Sequence, residues 1–440
     1  LHIVINGRFP ARTAMSHLPP SLPAETSQLA PLSYIQRNES YLRRNLAVAV
    51  FGSFSTAVSL TMLLPILPQF VEQLGAGSQA AVIRWSGIAF GATFLGTALT
   101  SPLWGRLADR LGRKPMLVRA ALGMTVFMSL IGLAHSVYQL VALRLLAGLI
   151  GGYNSAATVM VGTQAPAARA GWALGVLSTG AVAGSLLGPL VGGLLPGWIG
   201  IRATFFAGGG IIAVAALLTI LVVREDFDAA RDGRRRAETR QAVRQRRSNP
   251  AIVAVLILMA MMVLLANMSI EPIITVYIAE IGVHGDGLTR IAGVVMACSA
   301  LGSMLTAPRL GALADRVGSW KVIVGCLAVT GLAMLPQALV TNWWELAGLR
   351  LLMGMSLAGL LPAINKLARQ AVAEGGAGQM LGYLQSAQSA GMVLGPLLGG
   401  AVGVRLGLGS VFYVTGALLA CCSVVAEWAR RFDCNTMKRL

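Results

Sequence analysis

Gly105-Arg-Leu-Ala-Asp109-Arg110-Leu-Gly112-Arg113-Lys114 is the stretch from which the rest of the chain can be read. Its glycines permit a tight turn and close approach of helices, and one carboxylate stands among cations. Such a cluster makes charge-assisted bonds that one conformation forms and another breaks. The stretch joins two apolar runs, at about 82–103 and 115–134. Slid along the chain by about 206 residues, Ser101-Pro-Leu-Trp-Gly-Arg-Leu-Ala-Asp-Arg falls on Ala307-Pro-Arg-Leu-Gly-Ala-Leu-Ala-Asp315-Arg316. Ala142-Leu-Arg-Leu-Leu likewise falls on Gly348-Leu-Arg-Leu-Leu, Leu187-Gly-Pro-Leu-Val-Gly-Gly on Leu394-Gly-Pro-Leu-Leu-Gly-Gly, and Pro65 on Pro272. The chain is a duplication. Two halves in the same orientation form the parallel repeat whose interface, near the bilayer midplane, is where a rocking transporter holds its cargo.

Composition sets the solvent. The 440 residues carry 35 Lys and Arg and 17 Asp and Glu, only 12% charged, with 55% hydrophobic residues and 52 Gly. That is about half the usual charge of a soluble domain, so a soluble globule is excluded. Apolar stretches of about the 20 residues that cross a bilayer lie near 46–71, 82–103, 115–134, 137–162, 171–195 and 201–223, then 251–280, 288–308, 320–340, 343–367, 378–402 and 409–429. The expected fold is all-α and integral to the membrane, with twelve transmembrane helices in two six-helix halves. Residues 1–45 form a disordered cytoplasmic tail in which Met15 is a candidate start, 46–223 the first half, 224–250 a cytoplasmic linker, 251–430 the second half and 431–440 a cytoplasmic tail. The linker holds nine Arg, from Arg224 to Arg247, and reads as a solvated tether or as a contact for anionic lipid headgroups.

With both termini in the cytoplasm, 28 of the 35 cations lie inside, Arg84, Arg202, Arg290 and Arg405 lie outside, and Arg144, Arg350 and Lys366 lie within spans. This satisfies the positive-inside rule, so the net charge of +18 reflects topology and does not call for a nucleic-acid partner. Cys298, Cys326, Cys421 and Cys422 fall in apolar stretches and read as small core residues.

The ten-residue string resembles the loop between helices 2 and 3 of the major facilitator superfamily. The resemblance implies that fold, and that Gly105, Asp109, Arg110, Gly112, Arg113 and Lys114 hold the cytoplasmic side closed in the outward-facing state. Without it, the loop reads as a positive-inside turn. Asp315 and Arg316 persist in the second copy, but Ser319 and Trp320 replace the last two cations, so its gate is expected to be weaker. Gly184, Gly188, Pro189, Gly192 and Gly193 in span 5 resemble the motif of the drug:proton antiporter branch. They read equally as a helix-packing face, because span 11 repeats them at Gly391, Gly395, Pro396, Gly399 and Gly400. Arg144 resembles the span 4 arginine that these antiporters associate with proton coupling. Its alternative is snorkelling or a structural hydrogen bond. The order of these features across residues 45–430 is similar to that of multidrug efflux members of the group.

Proton coupling needs a group that loads and unloads, most simply a carboxylate kept from water. Span 1 has no acid before Glu72, and His2, His17, His135 and His284 lie in tails or outer loops. Glu271 alone is well inside a span, next to Pro272, whose missing amide frees the Met268 carbonyl. Glu271 is therefore the expected proton carrier, with Asp109 and Arg144 a coupled gating pair. Relatives that place an acid in span 1 differ here. Phe54, Asn154, Asn267, Asn365, Gln385 and Gln388 are candidates for binding cargo, or for bonding helix to helix.

The expected activity is export of lipophilic, drug-like molecules in exchange for protons, by a monomer in the inner membrane in contact with its lipids. A porter for one metabolite or sugar, or a nontransporting receptor, would share the composition. Nucleotide loops, metal clusters and nucleophile constellations are not apparent in the sequence, so neither enzyme chemistry nor a cofactor is expected, and the proton gradient supplies the energy.

Overall fold

Among the described residues, twelve helices are long and apolar enough to cross a membrane: α1 Tyr41–Gln73, α2 Gln79–Ser101, α3 Arg113–Gly132, α4 Val137–Gln164, α5 Gly171–Ile199, α6 Ile201–Val222, α7 Ala251–Ile270, α8 Gly287–Val317, α9 Ser319–Gln337, α10 Trp343–Gln370, α11 Gly382–Leu406 and α12 Leu408–Phe432. Helices are what apolar surroundings demand, since each satisfies its own backbone groups. The structure, a computed structural model, describes residues 32–165, 169–225, 250–285, 287–371 and 377–437. Most of the expected amino-terminal tail, linker residues 226–249 and residues 438–440 lie outside the described residues. The contacts below are all made within residues 41–437.

Four spans read as continuous in the sequence are interrupted. α1 breaks between Thr61 and Leu63, α4 at Gly151-Gly152, α7 between Ile270 and Ile274, and α10 between Leu357 and Leu360. The causes are local. Pro65 and Pro272 cannot donate to the carbonyls four residues before them, and Gly152 adopts φ +104°, a conformation that side chains disfavour. Each is the first helix of a three-helix unit, so the interruptions recur with the repeat.

The duplication extends to single hydrogen bonds. Thr97 donates to the Gly148 carbonyl at 3.2 Å and Thr100 to that of Leu149 at 2.9 Å, while Ser303 donates to Gly354 at 2.8 Å and Thr306 to Met355 at 2.7 Å. α2 thereby packs on α4 as α8 packs on α10. Gly148 leaves room for the Thr93 carbonyl, and Gly354 for that of Ser299. In the same way Gly192 of α5 admits the Met62 carbonyl of α1, and Gly399 of α11 the Ser269 carbonyl of α7.

The halves meet along α2 with α11 and α5 with α8. Gly87 lies against the Pro396 carbonyl, and Gly193 against Thr289 and Gly293. Thr275 donates to the Pro65 carbonyl at 3.3 Å and Gln79 to Glu280 at 2.9 Å. All these contacts lie toward the side away from Arg113, Arg224 and Arg316, which we call the opposite side. There Ile66, Leu67, Phe70, Ile274 and Ile278 are fully buried. The helix of α2 continues beyond its apolar span to Leu111, and on the basic side its Leu99 and Leu103, with Trp172 of α5 and Tyr383 of α11, are exposed. Cys298, Cys326, Cys421 and Cys422 are free thiols, and Cys421 is exposed rather than packed in the core.

Candidate functional site

Glu271 stands in the break of α7, where the turn Glu271–Ile273 separates the piece ending at Ile270 from the piece beginning at Ile274. Its side chain is buried, and Oε1 lies 3.5 Å from Nη1 of Arg350 on α10. Arg350 is fully buried, and none of its guanidinium nitrogens finds a hydrogen-bond acceptor among the described residues. The carboxylate is therefore the charge that compensates it. In a site of low dielectric the pair is neutral while both groups are ionised, and a proton taken up by Glu271 leaves one positive charge behind.

The first half handles the same arginine differently. Arg144, the repeat partner of Arg350, is also buried, but its Nε donates to the Ala89 carbonyl of α2 at 2.7 Å, its Nη2 to the Phe90 carbonyl at 3.5 Å, and its guanidinium carbon lies 5.4 Å from the centre of the Phe90 ring. The residue in register with Glu271 is Leu64, an apolar core side chain. One break is thus ionisable and the other is not. Sequence reasoning found Glu271 but missed its partner. The signal was present: Arg350 is a cation within a span, in the same half as the lone intramembrane acid.

The expected pairing of Asp109 with Arg144 is not formed. Arg144 bonds Ala89, and twenty residues of helix separate Ala89 from Asp109. At 1.5 Å per residue that is about 30 Å, so a direct contact is ruled out. The Asp109 side chain is outside the described residues. Around it, Gly112 takes φ +94° to turn the chain and Arg110 is exposed. Arg113 is buried with Nη1 3.8 Å from Glu225, and the Glu225 carboxylate accepts the backbone amides of Arg113 at 2.8 Å and Lys114 at 2.7 Å. Glu225 follows α6 and caps α3, placing an anion at the positive end of that helix. Lys114 donates to the Ile220 carbonyl at 3.0 Å. These contacts bind the loop within its own half. In the second copy, Asp315 pairs with Lys366 of α10, a cation supplied from outside the repeated string. Arg316 is exposed, and Gly105 has open space around it.

The α5 glycines serve as a packing face. Gly184, Gly188 and Gly192 admit the α1 backbone, while Gly193 and Pro189 meet α8 across the seam. Among the cargo candidates, Asn154 is exposed, with Oδ1 3.4 Å from the Thr56 hydroxyl of α1. Gln385 is exposed and Phe54, Asn267, Asn365 and Gln388 are half-buried. The Asn267 carbonyl oxygen is buried without a partner. Among the described residues no hydrogen bond joins any two of the six.

The family model of the Major Facilitator Superfamily matches residues 49–292 and 258–433, so both halves are covered. The chain belongs to this superfamily. Among its relatives is the multidrug resistance protein MdtG of Proteus mirabilis (strain HI4320), 38% identical over 383 residues, which span 87% of this chain and 94% of the relative. MdtG of Citrobacter koseri is 40% identical over 377 residues, 86% of this chain and 92% of the relative. Solved major facilitator structures share the fold at low identity. A bacterial homologue of the human lysosomal transporter Spinster, inward-facing and unoccupied, aligns with a TM-score of 0.70 at 15% identity over 89% of this chain and 97% of its own. The human organic anion transporter MFSD10 aligns with a TM-score of 0.65 at 18% identity, over 88% and 99%. This major facilitator protein is therefore a multi-pass membrane protein with the superfamily's duplicated fold.

Proposed function

We propose that the chain is a drug:proton antiporter that exports lipophilic molecules by alternating access, with Glu271 carrying the proton and Arg350 as its fixed counter-charge. The buried Glu271–Arg350 pair, at 3.5 Å across the break of α7, carries this reading. It is a titratable charge at a point where a helix is already interrupted, and its proton state sets the net charge of the site. The MdtG relatives, multidrug resistance proteins by name, support the cargo class. Candidate contacts for that cargo are Phe54, Asn154, Asn267, Asn365, Gln385 and Gln388. Arg144 acts as a helix-positioning cation, and the 105–114 loop with Asp109, together with Asp315 and Arg316, forms the gate on the basic side.

On this reading the basic side is cytoplasmic, as are both termini, the membrane is the inner one, and the conformation described is open to the cytoplasm. The protein works as a monomer, needs no cofactor and performs no covalent chemistry. The test is drug-driven proton movement in liposomes holding the purified protein, with a panel of lipophilic cations and neutral drugs. Wild type is expected to release protons when drug is added, and Glu271→Gln to bind drug without proton movement. Unchanged proton movement in Glu271→Gln would remove Glu271 from the mechanism.

A further inference from the structure

A half-buried arginine, Arg119, lies on α3 in the first half. A cavity of about 210 Å³ opens between α2, α3 and α4 in their basic-side halves, lined by Thr100, Trp104, Arg113, Arg119 and Ser155 among others. The Arg119 guanidinium lies 3.6 Å over the Trp104 ring and donates through Nη2 to the Gly151 carbonyl at 2.9 Å. Trp104 is itself fixed, its indole N–H donating to the Leu149 carbonyl at 2.7 Å. The remaining nitrogens of Arg119, Nε and Nη1, are buried and find no acceptor among the described residues. None of the described residues lining the cavity carries a carboxylate. Arg113, on the same wall, is matched by Glu225. Among the described residues the cavity therefore contains a held guanidinium with two buried, unused donors and no anion, an arrangement that an incoming oxyanion would satisfy.

We propose that this cavity binds the oxyanion head, phosphate or carboxylate, of an anionic ligand, with Arg119 as its principal contact. A guanidinium stacked on an aromatic ring is pre-organised for an oxyanion. The volume admits such a head but not a drug-sized molecule, which needs about 300 Å³ or more. Depth favours a lipid as the source. Arg119 is six residues into α3, about 9 Å from its start, near the boundary between headgroups and hydrocarbon. The apolar side chains of Leu99 and Leu103 are exposed on the neighbouring helix, where an acyl chain can lie. A head seated there touches α2, α3 and the Gly151-Gly152 break of α4 at once, and so ties the gate loop to a hinge. The site is independent of the proton pair, and its failure would leave that reading untouched.

The test uses the full-length protein in mild detergent. Native mass spectrometry is used to titrate it with phosphatidylglycerol and with phosphatidylcholine, and thermal protection by inorganic phosphate is measured in parallel. Wild type is expected to retain one phosphatidylglycerol at least about tenfold more tightly than phosphatidylcholine, the scale of one charge-assisted hydrogen bond. Arg119→Gln should lose that preference. Ser155→Phe, which fills the cavity and leaves Arg119 in place, should lose it too, and decides the matter if the first variant does not fold. Protection of wild type but neither variant by inorganic phosphate alone would support the same site with a soluble anion as its source. If both variants keep the wild-type preference, or if neither anion binds, the proposal is overturned and the cavity holds only water.

Discussion

Replacing Glu271 with leucine should cost far more stability than replacing its partner with methionine, although each change removes one end of the same contact. Arg350 is fully buried, and none of its nitrogens has another acceptor among the described residues. In Glu271→Leu the guanidinium stays charged and unpaired, because arginine does not give up its proton in proteins. Breaking a buried pair this way costs about 3–5 kcal/mol. In Arg350→Met the stranded group is a carboxyl, which can bind a proton and become neutral. What remains is one unsatisfied polar group, about 1–3 kcal/mol. The double variant leaves no charge at all and should lie within about 1 kcal/mol of wild type, since apolar replacement of a whole buried pair is often neutral. The cycle thus predicts a coupling of about 3 kcal/mol or more. Arg144→Met is the control. Its acceptors are two backbone carbonyls of α2, Ala89 at 2.7 Å and Phe90 at a marginal 3.5 Å, so its cost should be close to that of one charge-assisted bond, about 1.5–3 kcal/mol. The assay is unfolding of the purified proteins in mixed micelles, followed by tryptophan fluorescence. If Glu271→Leu costs no more than Arg350→Met, or the double variant equals the sum of the singles, the carboxylate does not compensate that arginine.

Three shorter predictions follow from the packing and the seam. Gly192→Val and Gly399→Val each press a side chain onto a backbone carbonyl of the neighbouring helix, so both should lower stability by at least about 1–3 kcal/mol, whereas Gly175→Ala, with open space around it, should be neutral in thermal unfolding. Cysteines placed at Gln79 and Glu280, whose side chains now meet at 2.9 Å, should cross-link and stop drug flux in vesicles until a reductant restores it. Lys366→Met removes a partly exposed ion pair with Asp315 and should change unfolding free energy by no more than about 1 kcal/mol.

The fold was legible because duplication and apolar run length are one-dimensional properties. Offsets of 206 and 207 residues that align Gly148 with Gly354 and Gly192 with Gly399 also align their contacts, since a helix keeps sequence spacing as spatial spacing. The breaks were half legible. Pro272 announced one, but Gly151-Gly152 could equally have sat in an unbroken helix, as many glycines here do. Glu271 could be singled out by elimination, whereas its partner depended on which face of α10 turns toward α7. The pairing expected for Arg144 failed for a related reason. A backbone carbonyl is available at every residue and leaves no mark in the sequence, so reasoning from charges alone looks for a carboxylate and does not see Ala89. Glu225 was missed because it lies at the edge of an Arg-rich linker, where one acid among many cations reads as solvated, although its carboxylate caps α3.

The asymmetry between the halves bears directly on how proton and cargo would exclude one another. Each half holds a buried arginine at the same repeat position, Arg144 in α4 and Arg350 in α10. At Arg144 the charge is met by the backbone carbonyls of Ala89 and Phe90, and no ion pair to it is formed among the described residues, so that position keeps the same charge throughout a cycle. At Arg350 the charge is cancelled by Glu271, and a proton changes the net charge of that break from zero to one. A cationic molecule about 10 Å away, at an effective dielectric of about 20, would feel this as roughly 1.7 kcal/mol of repulsion, more than tenfold in affinity. A neutral molecule would feel almost none. One titrating break is therefore sufficient for a proton and a cation to displace each other. A second would add another such penalty without a second proton path, which is a physical reason for the first half to carry leucine at position 64 where the second carries glutamate.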